Sequence, residues 1–239
     1  MPVPLLLTLI GWGSSLFGGF IFGKLNAEET RRMPMWTRLI SSLCLAVAGW
    51  LWWGLTQGTE NALYTLPIAV GMSLSFIGDL FMAGLLTGTS NPIGGMIAFG
   101  CGHVAYIVGI FQFSDAVGAN SLRIRSLSIV VWAVIGVMGW WLAVYLPARG
   151  KTHLLHWLAL GYGLLLSGTT AAATALSLQA ASFVPTALGA AMFLVSDLLI
   201  AARMFSDLKF YLIDDLIWLL YGPAQALIVF AAHYALLGG

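Results

Sequence analysis

The stretch Ser75-Phe76-Ile77-Gly78-Asp79-Leu80-Phe81-Met82-Ala83 places one carboxyl group inside a long apolar run. A second stretch, Phe193-Leu194-Val195-Ser196-Asp197-Leu198-Leu199-Ile200-Ala201, repeats the pattern of a small residue, Asp, Leu and then an Ala four residues after the Asp. An ionised Asp at the centre of a lipid-facing helix costs about 2.5 to 3.5 kcal/mol on insertion scales, so intramembrane acids usually face a polar interior. We therefore expect Asp79 and Asp197 to be functional.

The composition is typical of an integral membrane protein. Of the 239 residues, 60% are hydrophobic and 8% are charged, whereas about a quarter of the residues in a soluble domain are charged. The net charge of +1, without basic blocks, argues against nucleic acid as a partner. Cys44 and Cys101 both lie in apolar segments, so the sequence predicts neither a disulfide framework nor a cysteine metal site.

Apolar runs bounded by charged residues, Pro or Gly predict an all-α, polytopic membrane helix bundle with eight transmembrane helices. The predicted spans are 5–23, 39–56, 65–86, 93–113, 126–147, 153–178, 184–205 and 215–237. We predict that residues 1–239 form a single transmembrane domain.

The Asp motif recurs in the third and seventh predicted spans, so the two motif helices run in the same direction. A parallel repeat of two four-helix halves would explain this spacing. Counted from the span ends near 86 and 205, both aspartates are predicted to lie roughly 10 to 12 Å deep in the membrane.

The basic residues predict the orientation of the bundle. An even number of spans puts both termini on one side, where only Arg123 and Arg125 are found. The opposite side carries Lys24, Arg31, Arg32, Arg38, Arg149, Lys151, Arg203 and Lys209. The positive-inside rule places these eight residues in the cytoplasm. We expect a bacterial inner membrane or its equivalent, with the functional pocket nearer the cytoplasmic face.

Further polar residues lie in the fourth and eighth predicted spans. Phe99, His103 and Tyr106 share one helical face by their i, i+4 and i, i+3 spacing, and Tyr221 and Gln225 share another face. Counted from the same side of the membrane, these groups lie roughly 9 to 15 Å deep, near the level of the aspartates. A polar chamber that is closed to lipid and open toward the cytoplasm would satisfy all of them.

Four motifs resemble those of one known family. They are Ser75-Phe-Ile-Gly-Asp79, Gly95-Met-Ile-Ala-Phe-Gly-Cys-Gly-His103-Val-Ala-Tyr106, Gly189-Ala-Ala-Met-Phe-Leu-Val-Ser-Asp197-Leu-Leu-Ile-Ala201 and Tyr221-Gly-Pro-Ala-Gln225-Ala-Leu-Ile228. In this order they resemble the lysoplasmalogenase (YhhN-like) family of eight-span membrane proteins. The resemblance implies hydrolysis of the vinyl-ether bond of lysoplasmalogens to a fatty aldehyde and a glycerophospho-base. It also implies that Asp79 and Asp197 match the two acids of that family, and that His103, Tyr221 and Gln225 match its other polar positions.

Two neighbouring carboxyl groups suit this chemistry. Protonation of the β-carbon of a vinyl ether gives an oxocarbenium ion that water captures, so the reaction needs one acid and one base. A pair of carboxyl groups in an apolar site can keep one proton between them, as in paired-carboxylate glycosidases. We predict no metal and no cofactor.

We predict a lysophospholipid substrate, bound within the surrounding membrane lipid. Its single chain would lie between helices, and its phosphate would lie near Arg38, Arg203 or Lys209. The predicted substrate-binding residues are Ser75, His103, Tyr106, Ser196, Tyr221, Gln225, Arg38 and Arg203.

Other functions fit the same residues. Paired buried acids in parallel repeats also suit a proton-coupled transporter of small molecules or lipids, which would need sealed vesicles to show activity. A lipid-binding scaffold without catalysis predicts that Asp79→Asn keeps its affinity for the ligand. A lone intramembrane Asp, or His103, can also be a structural hydrogen-bonding partner between helices.

Two further groups of residues have competing interpretations. His153, His156, Asp214 and Asp215 lie at one predicted membrane face and could hold zinc, although an interfacial pair is the favoured interpretation. The tryptophans, such as Trp50, Trp52, Trp53, Trp140 and Trp141, are predicted to be interfacial or lipid-facing anchors.

Overall fold

The computed structural model describes residues 1–148 and 152–233, and within them the chain forms helices without strands. The helices are α1 (Val3–Phe22), α2 (Met35–Thr56), α3 (Ala62–Met82), α4 (Pro92–Ala116), α5 (Leu122–Trp140), α6 (Leu154–Ser177), α7 (Val184–Ser206) and α8 (Ile213–Phe230). A π-helical segment, Trp141–Tyr145, continues α5, and a 3-10 turn, Ala181–Phe183, precedes α7. The described part of the chain thus has eight helices long and apolar enough to span a membrane. The prediction of an all-α, multi-pass membrane protein is confirmed.

Helix α3 is shorter than its predicted span. It ends at Met82 rather than near 86, because Gly84 adopts a φ of 75° and turns the chain away. Asp79 therefore lies about one turn before the end of α3, whereas Asp197 lies more than two turns before the end of α7. The predicted end of the third span near residue 86 is wrong, since the apolar residues after Met82 belong to a loop. The shared depth of the two acids in the membrane stays a prediction.

Six of the helices form a closed ring. α2 packs on α3, α3 on α4, α4 on α6, α6 on α7, α7 on α8, and α8 packs back on α2. Outside this ring, α1 lies against α2 and α8, and α5 with its π-helical segment lies against α6 and α7. These contacts are the ones expected for two parallel four-helix halves, α1–α4 and α5–α8. The duplication itself stays a prediction.

Glycines allow α3 and α4 to approach closely at the level of the first acid. A Cβ added at Gly78, the residue before Asp79, would lie 2.7 Å from the Phe99 ring of α4. A Cβ at Gly71 would collide with the ring of Tyr106. Close contacts of this kind between small residues stabilise helix pairs in membranes, and here they hold the polar residues of both helices in place.

The loop between α1 and α2 is tied to the start of α8. The Asp215 side chain is fully buried and accepts hydrogen bonds from the backbone N–H groups of Arg32 at 2.6 Å and Met33 at 3.0 Å. Asp214 accepts a hydrogen bond from Thr30 Oγ1 at 2.9 Å and forms an ion pair with Arg203. These contacts hold the α1–α2 loop against α8 and α7 at one end of the bundle.

The zinc interpretation of His153, His156, Asp214 and Asp215 does not match these contacts. Both aspartates bind the α1–α2 loop or Arg203, while His153 and His156 pair with each other at the start of α6. Among residues 1–148 and 152–233, no three His, Cys, Asp or Glu side chains are grouped as metal ligands.

Two of the predicted tryptophan anchors lie inside the bundle. The side chain of Trp52 is 2% exposed and that of Trp140 is 8% exposed, whereas Trp50 and Trp141 are on the surface. The prediction of a lipid-facing position is therefore wrong for Trp52 and Trp140. Arg149 and Lys151, which contributed to the predicted orientation, lie outside the described residues.

Candidate active site

A cavity of about 620 Å³ lies largely inside the ring, at the end of the bundle where the α1–α2 loop lies. This volume is in the usual range for small-ligand sites. Most of its wall is apolar, and Asp79 and Asp197 both line it. Its other polar lining residues are Arg31, Arg38, Ser90, Tyr162, Arg203, Asp214 and Tyr221. The sequence pattern thus selected two acids that share one cavity, although they lie on different helices.

Asp79 is held by hydroxyl groups from two other helices. Ser42 Oγ of α2 donates a hydrogen bond to Asp79 Oδ2, and Tyr221 OH of α8 donates to the same oxygen at 3.0 Å. The Asp79 residue is 5% exposed. A buried carboxyl group needs such partners, because desolvation without hydrogen bonds is costly. The two donors fix the carboxyl group at the cavity wall.

Asp197 has a different set of donors. Tyr162 OH of α6 donates a hydrogen bond to Asp197 Oδ2, and Ser196 Oγ donates to Asp197 Oδ1 at 3.1 Å. Tyr162 lines the cavity, whereas Ser196 is fully buried behind the acid. Each acid is therefore oriented by a tyrosine that faces the cavity.

Two of these hydroxyl residues, Tyr162 and Ser42, are not predicted as site residues by the sequence patterns. Ser42 is one of two adjacent serines in the apolar α2, and Tyr162 stands between Gly161 and Gly163 in α6. A hydroxyl residue with small neighbours in a membrane helix is a weak signal, because such residues also serve helix packing. The contact with an acid on another helix is what distinguishes them.

A chain of hydrogen bonds leads from Asp79 into the bundle. Gln225 Nε2 donates to Tyr221 OH at 3.5 Å, and Tyr106 OH donates to Gln225 Oε1 at 2.8 Å. Tyr221 lines the cavity, but Tyr106 and Gln225 lie behind it and are fully buried. Of the predicted polar chamber, only Tyr221 and the two acids border the open space, together with Phe99.

His103 and Ser75 also lie behind the cavity wall. His103 Nδ1 is 3.0 Å from Thr169 Oγ1 of α6, and the imidazole packs against the Phe193 ring at 4.6 Å between centroids. Both His103 and Ser75 are 1% exposed. The substrate-binding roles predicted for these residues stay predictions. The five predicted substrate-binding residues that do not line the cavity are His103, Ser75, Ser196, Tyr106 and Gln225.

Arginines line the cavity near the α1–α2 loop. Arg38 stacks over the Trp218 ring at 5.2 Å from its centroid, and its buried Nε has no hydrogen-bond partner within the described residues. Arg203 forms an ion pair with Asp214. Arg31 also lines the cavity, whereas Lys209 pairs with Asp207 at 3.0 Å and does not. Arg38 therefore has donor capacity left for an anion.

Comparison with known protein families identifies the chain at the family level. The YhhN family model matches residues 33–232. The chain belongs to the YhhN family. This family includes lysoplasmalogenase. No curated protein and no solved structure matches the chain.

The YhhN match spans α2 to α8 and leaves out α1. With the exception of Arg31, every residue that lines the cavity lies within it. The matched region thus contains both acids, their hydroxyl partners and the two arginines of the predicted site. At family level it supports a lysoplasmalogenase-like function.

Proposed function

We propose that this protein is a membrane hydrolase that cleaves the vinyl-ether bond of lysoplasmenyl-ethanolamine or lysoplasmenyl-choline. The observation that carries the proposal is that Asp79 and Asp197 line one largely apolar cavity beside arginines. Such a cavity offers an acid-base pair for the vinyl ether, arginines for the phosphate and apolar walls for the hydrocarbon chain of a lysophospholipid. The family includes lysoplasmalogenase, which points to the same reaction.

The two carboxyl groups divide the reaction between them. The protonated carboxyl group gives its proton to the β-carbon of the vinyl ether, and the resulting oxocarbenium ion is stabilised by the neighbouring carboxylate. The carboxylate then takes a proton from the water that adds to the cationic carbon. The hemiacetal collapses to a fatty aldehyde and a glycerophospho-base. One water molecule is consumed, and the mechanism works with the two acids in either role.

The remaining residues hold the pair and the substrate. Tyr162 and Tyr221 orient the acids by hydrogen bonds. Arg38, whose Nε–H has no partner within the described residues, and Arg31 line the same cavity. They suit a phosphate group, because a guanidinium can bind phosphate through two parallel hydrogen bonds. The positive-inside distribution of Lys and Arg supports a cytoplasmic position for this end of the bundle.

The proposed activity can be tested with purified protein in detergent. We expect aldehyde release from lysoplasmenyl-ethanolamine or lysoplasmenyl-choline, and we expect the rate to be unchanged by a chelator. Chelator-sensitive release would replace the carboxyl mechanism with a metal-dependent one. If folded protein releases no aldehyde from either lipid, the proposal is wrong.

Tyr162→Phe is expected to lower kcat on the order of tenfold to a hundredfold and to change KM little. The substitution removes the hydroxyl that positions Asp197, and a small misplacement of a reacting group is costly. Tyr64→Phe is the matched control, because Tyr64 OH is buried and donates to Ile228 O at 2.9 Å away from the cavity. A purely structural role for Tyr162 predicts equal effects of the two substitutions on unfolding temperature and an unchanged kcat.

One observation favours a proton-coupled carrier as a second candidate function. The hydrogen bonds from Asp79 through Tyr221 and Gln225 to Tyr106 extend away from the cavity toward the interior of the bundle. Chains of this kind can conduct protons in transporters. Substrate uptake driven by a pH gradient in sealed vesicles, without aldehyde release in detergent, would support the carrier.

A further inference from the structure

The cavity extends beyond the ring of six helices. Helix α5 and its π-helical segment lie outside this ring, against α6 and α7. Three of their residues, Gly136, Trp140 and Val144, nevertheless line the cavity. Since α5 packs against α6 and α7, the part of the cavity that these three residues line lies on the α6–α7 side of the ring. We call this part, which borders α5, α6 and α7, the side branch.

The walls of this side branch are apolar. Helix α6 contributes Ala159 and Gly163, which lie one turn apart on the same face, and α7 contributes Leu198 and Ala201. The small residues Ala159, Gly163 and Ala201 leave room between the two helices. None of the four has a polar side chain, so the side branch suits a hydrocarbon chain and disfavours a charged head group.

The wall of the side branch formed by α5 and its π-helical segment is held in place. Val144 of the π-helical segment is 1% exposed, and Trp140 Nε1 donates a hydrogen bond to the carbonyl oxygen of His156 in α6 at 2.7 Å. A fixed wall at the end of an apolar space limits the length of chain that it accepts.

We propose that the side branch binds the hydrocarbon chain of the lysolipid and that Gly163 sets the length of chain it accepts. The identity of the lipid rests on the proposed function. The two vinyl-ether carbons are the first two carbons of that chain, so in a reactive complex the chain begins beside Asp79 and Asp197. With the phosphate at Arg31 and Arg38, on the α2 side of the cavity, the chain leaves the acids on the side of α6, α7 and α5. The side branch is the apolar part of the cavity that continues in this direction.

Gly163 permits a test that leaves the fold intact. A Cβ added at Gly163 meets no atom within 4 Å, so a larger side chain there extends into the side branch. Gly161 is the matched control, because a Cβ there also meets no atom within 4 Å and the residue faces outward on the same helix. Gly136 is unsuitable, since a Cβ there would collide with Ser167 Oγ.

The experiment measures binding of saturated 1-alkyl ether lysophosphoethanolamines from dodecyl to octadecyl, which lack the reactive double bond. We expect Gly163→Leu to weaken binding of the octadecyl lipid on the order of tenfold relative to the dodecyl lipid, because at least two methylene groups lose their buried site. Gly161→Leu should give the wild-type profile. If Gly163→Leu does not fold, Ala159→Val provides the same test on the same helical face.

Two results would contradict binding of the hydrocarbon chain in the side branch. One is an unchanged chain-length profile in Gly163→Leu, and the other is an equal loss of affinity for every chain length. The measurement does not depend on hydrolysis. Absence of aldehyde release together with the expected change in chain-length profile would therefore contradict the proposed hydrolase activity but support binding of the hydrocarbon chain in the side branch.

Discussion

Asp79→Asn and Asp197→Asn are each expected to lower the rate of aldehyde release by about 10²- to 10⁴-fold, the usual contribution of a general acid or base. Asn keeps the size of Asp and can accept the hydrogen bonds of Ser42, Tyr221 or Tyr162, but it cannot exchange a proton. The measurement is single-turnover aldehyde release from a lysoplasmenyl lipid in detergent. Unfolding temperature and gel filtration confirm that each variant is folded.

The matched control for both variants is Asp207→Asn. Asp207 lies at the end of α7 in an exposed pair with Lys209, outside the cavity. It should keep the wild-type rate. Near-normal turnover in Asp79→Asn or Asp197→Asn would remove that residue from the mechanism.

The double variant adds a test of cooperation between the acids. Groups that act in one reaction step show strongly non-additive effects. We therefore expect Asp79→Asn combined with Asp197→Asn to be about as slow as the slower single variant. A rate equal to the product of the two single losses would mean that the acids act independently, which contradicts a shared acid-base step.

Asp215→Ala is expected to lower the free energy of unfolding by about 3 kcal/mol, because hydrogen bonds to charged groups are worth about 1.5 to 3 kcal/mol each and buried donors would lose their acceptor. The carboxyl group of Asp215 accepts from two backbone N–H groups of the α1–α2 loop, and the residue is fully buried. The measurement is thermal or chemical unfolding in one detergent, compared with the wild type.

The control for this substitution is Asp207→Asn at the exposed Lys209 pair. Asn is chosen because Asp207 has a φ of 51°, a conformation that Asn tolerates and Ala does not. Surface ion pairs contribute little to stability, so this variant should unfold like the wild type. Equal stability of Asp215→Ala and the wild type would show that the α1–α2 loop is held by other contacts.

Local sequence patterns are sufficient to predict the membrane-spanning helices and to identify the two intramembrane acids. A span of about 20 apolar residues is needed to cross the hydrocarbon core, so hydropathy alone identifies such helices. An Asp in an apolar run is conspicuous because few other charged residues occur there. For this reason the sequence pattern alone identifies Asp79 and Asp197.

The sequence by itself therefore determined an eight-helix membrane protein with two intramembrane acids. Only the tertiary structure decided which residues border the cavity: Tyr162 joins Asp197, whereas His103 and Gln225 lie behind the wall. It also showed that Trp140 faces inward. The physical reason is that membrane helices are apolar on both their lipid-facing and their protein-facing sides. Hydropathy therefore identifies the helices, while packing against neighbouring helices decides which face of each one is buried.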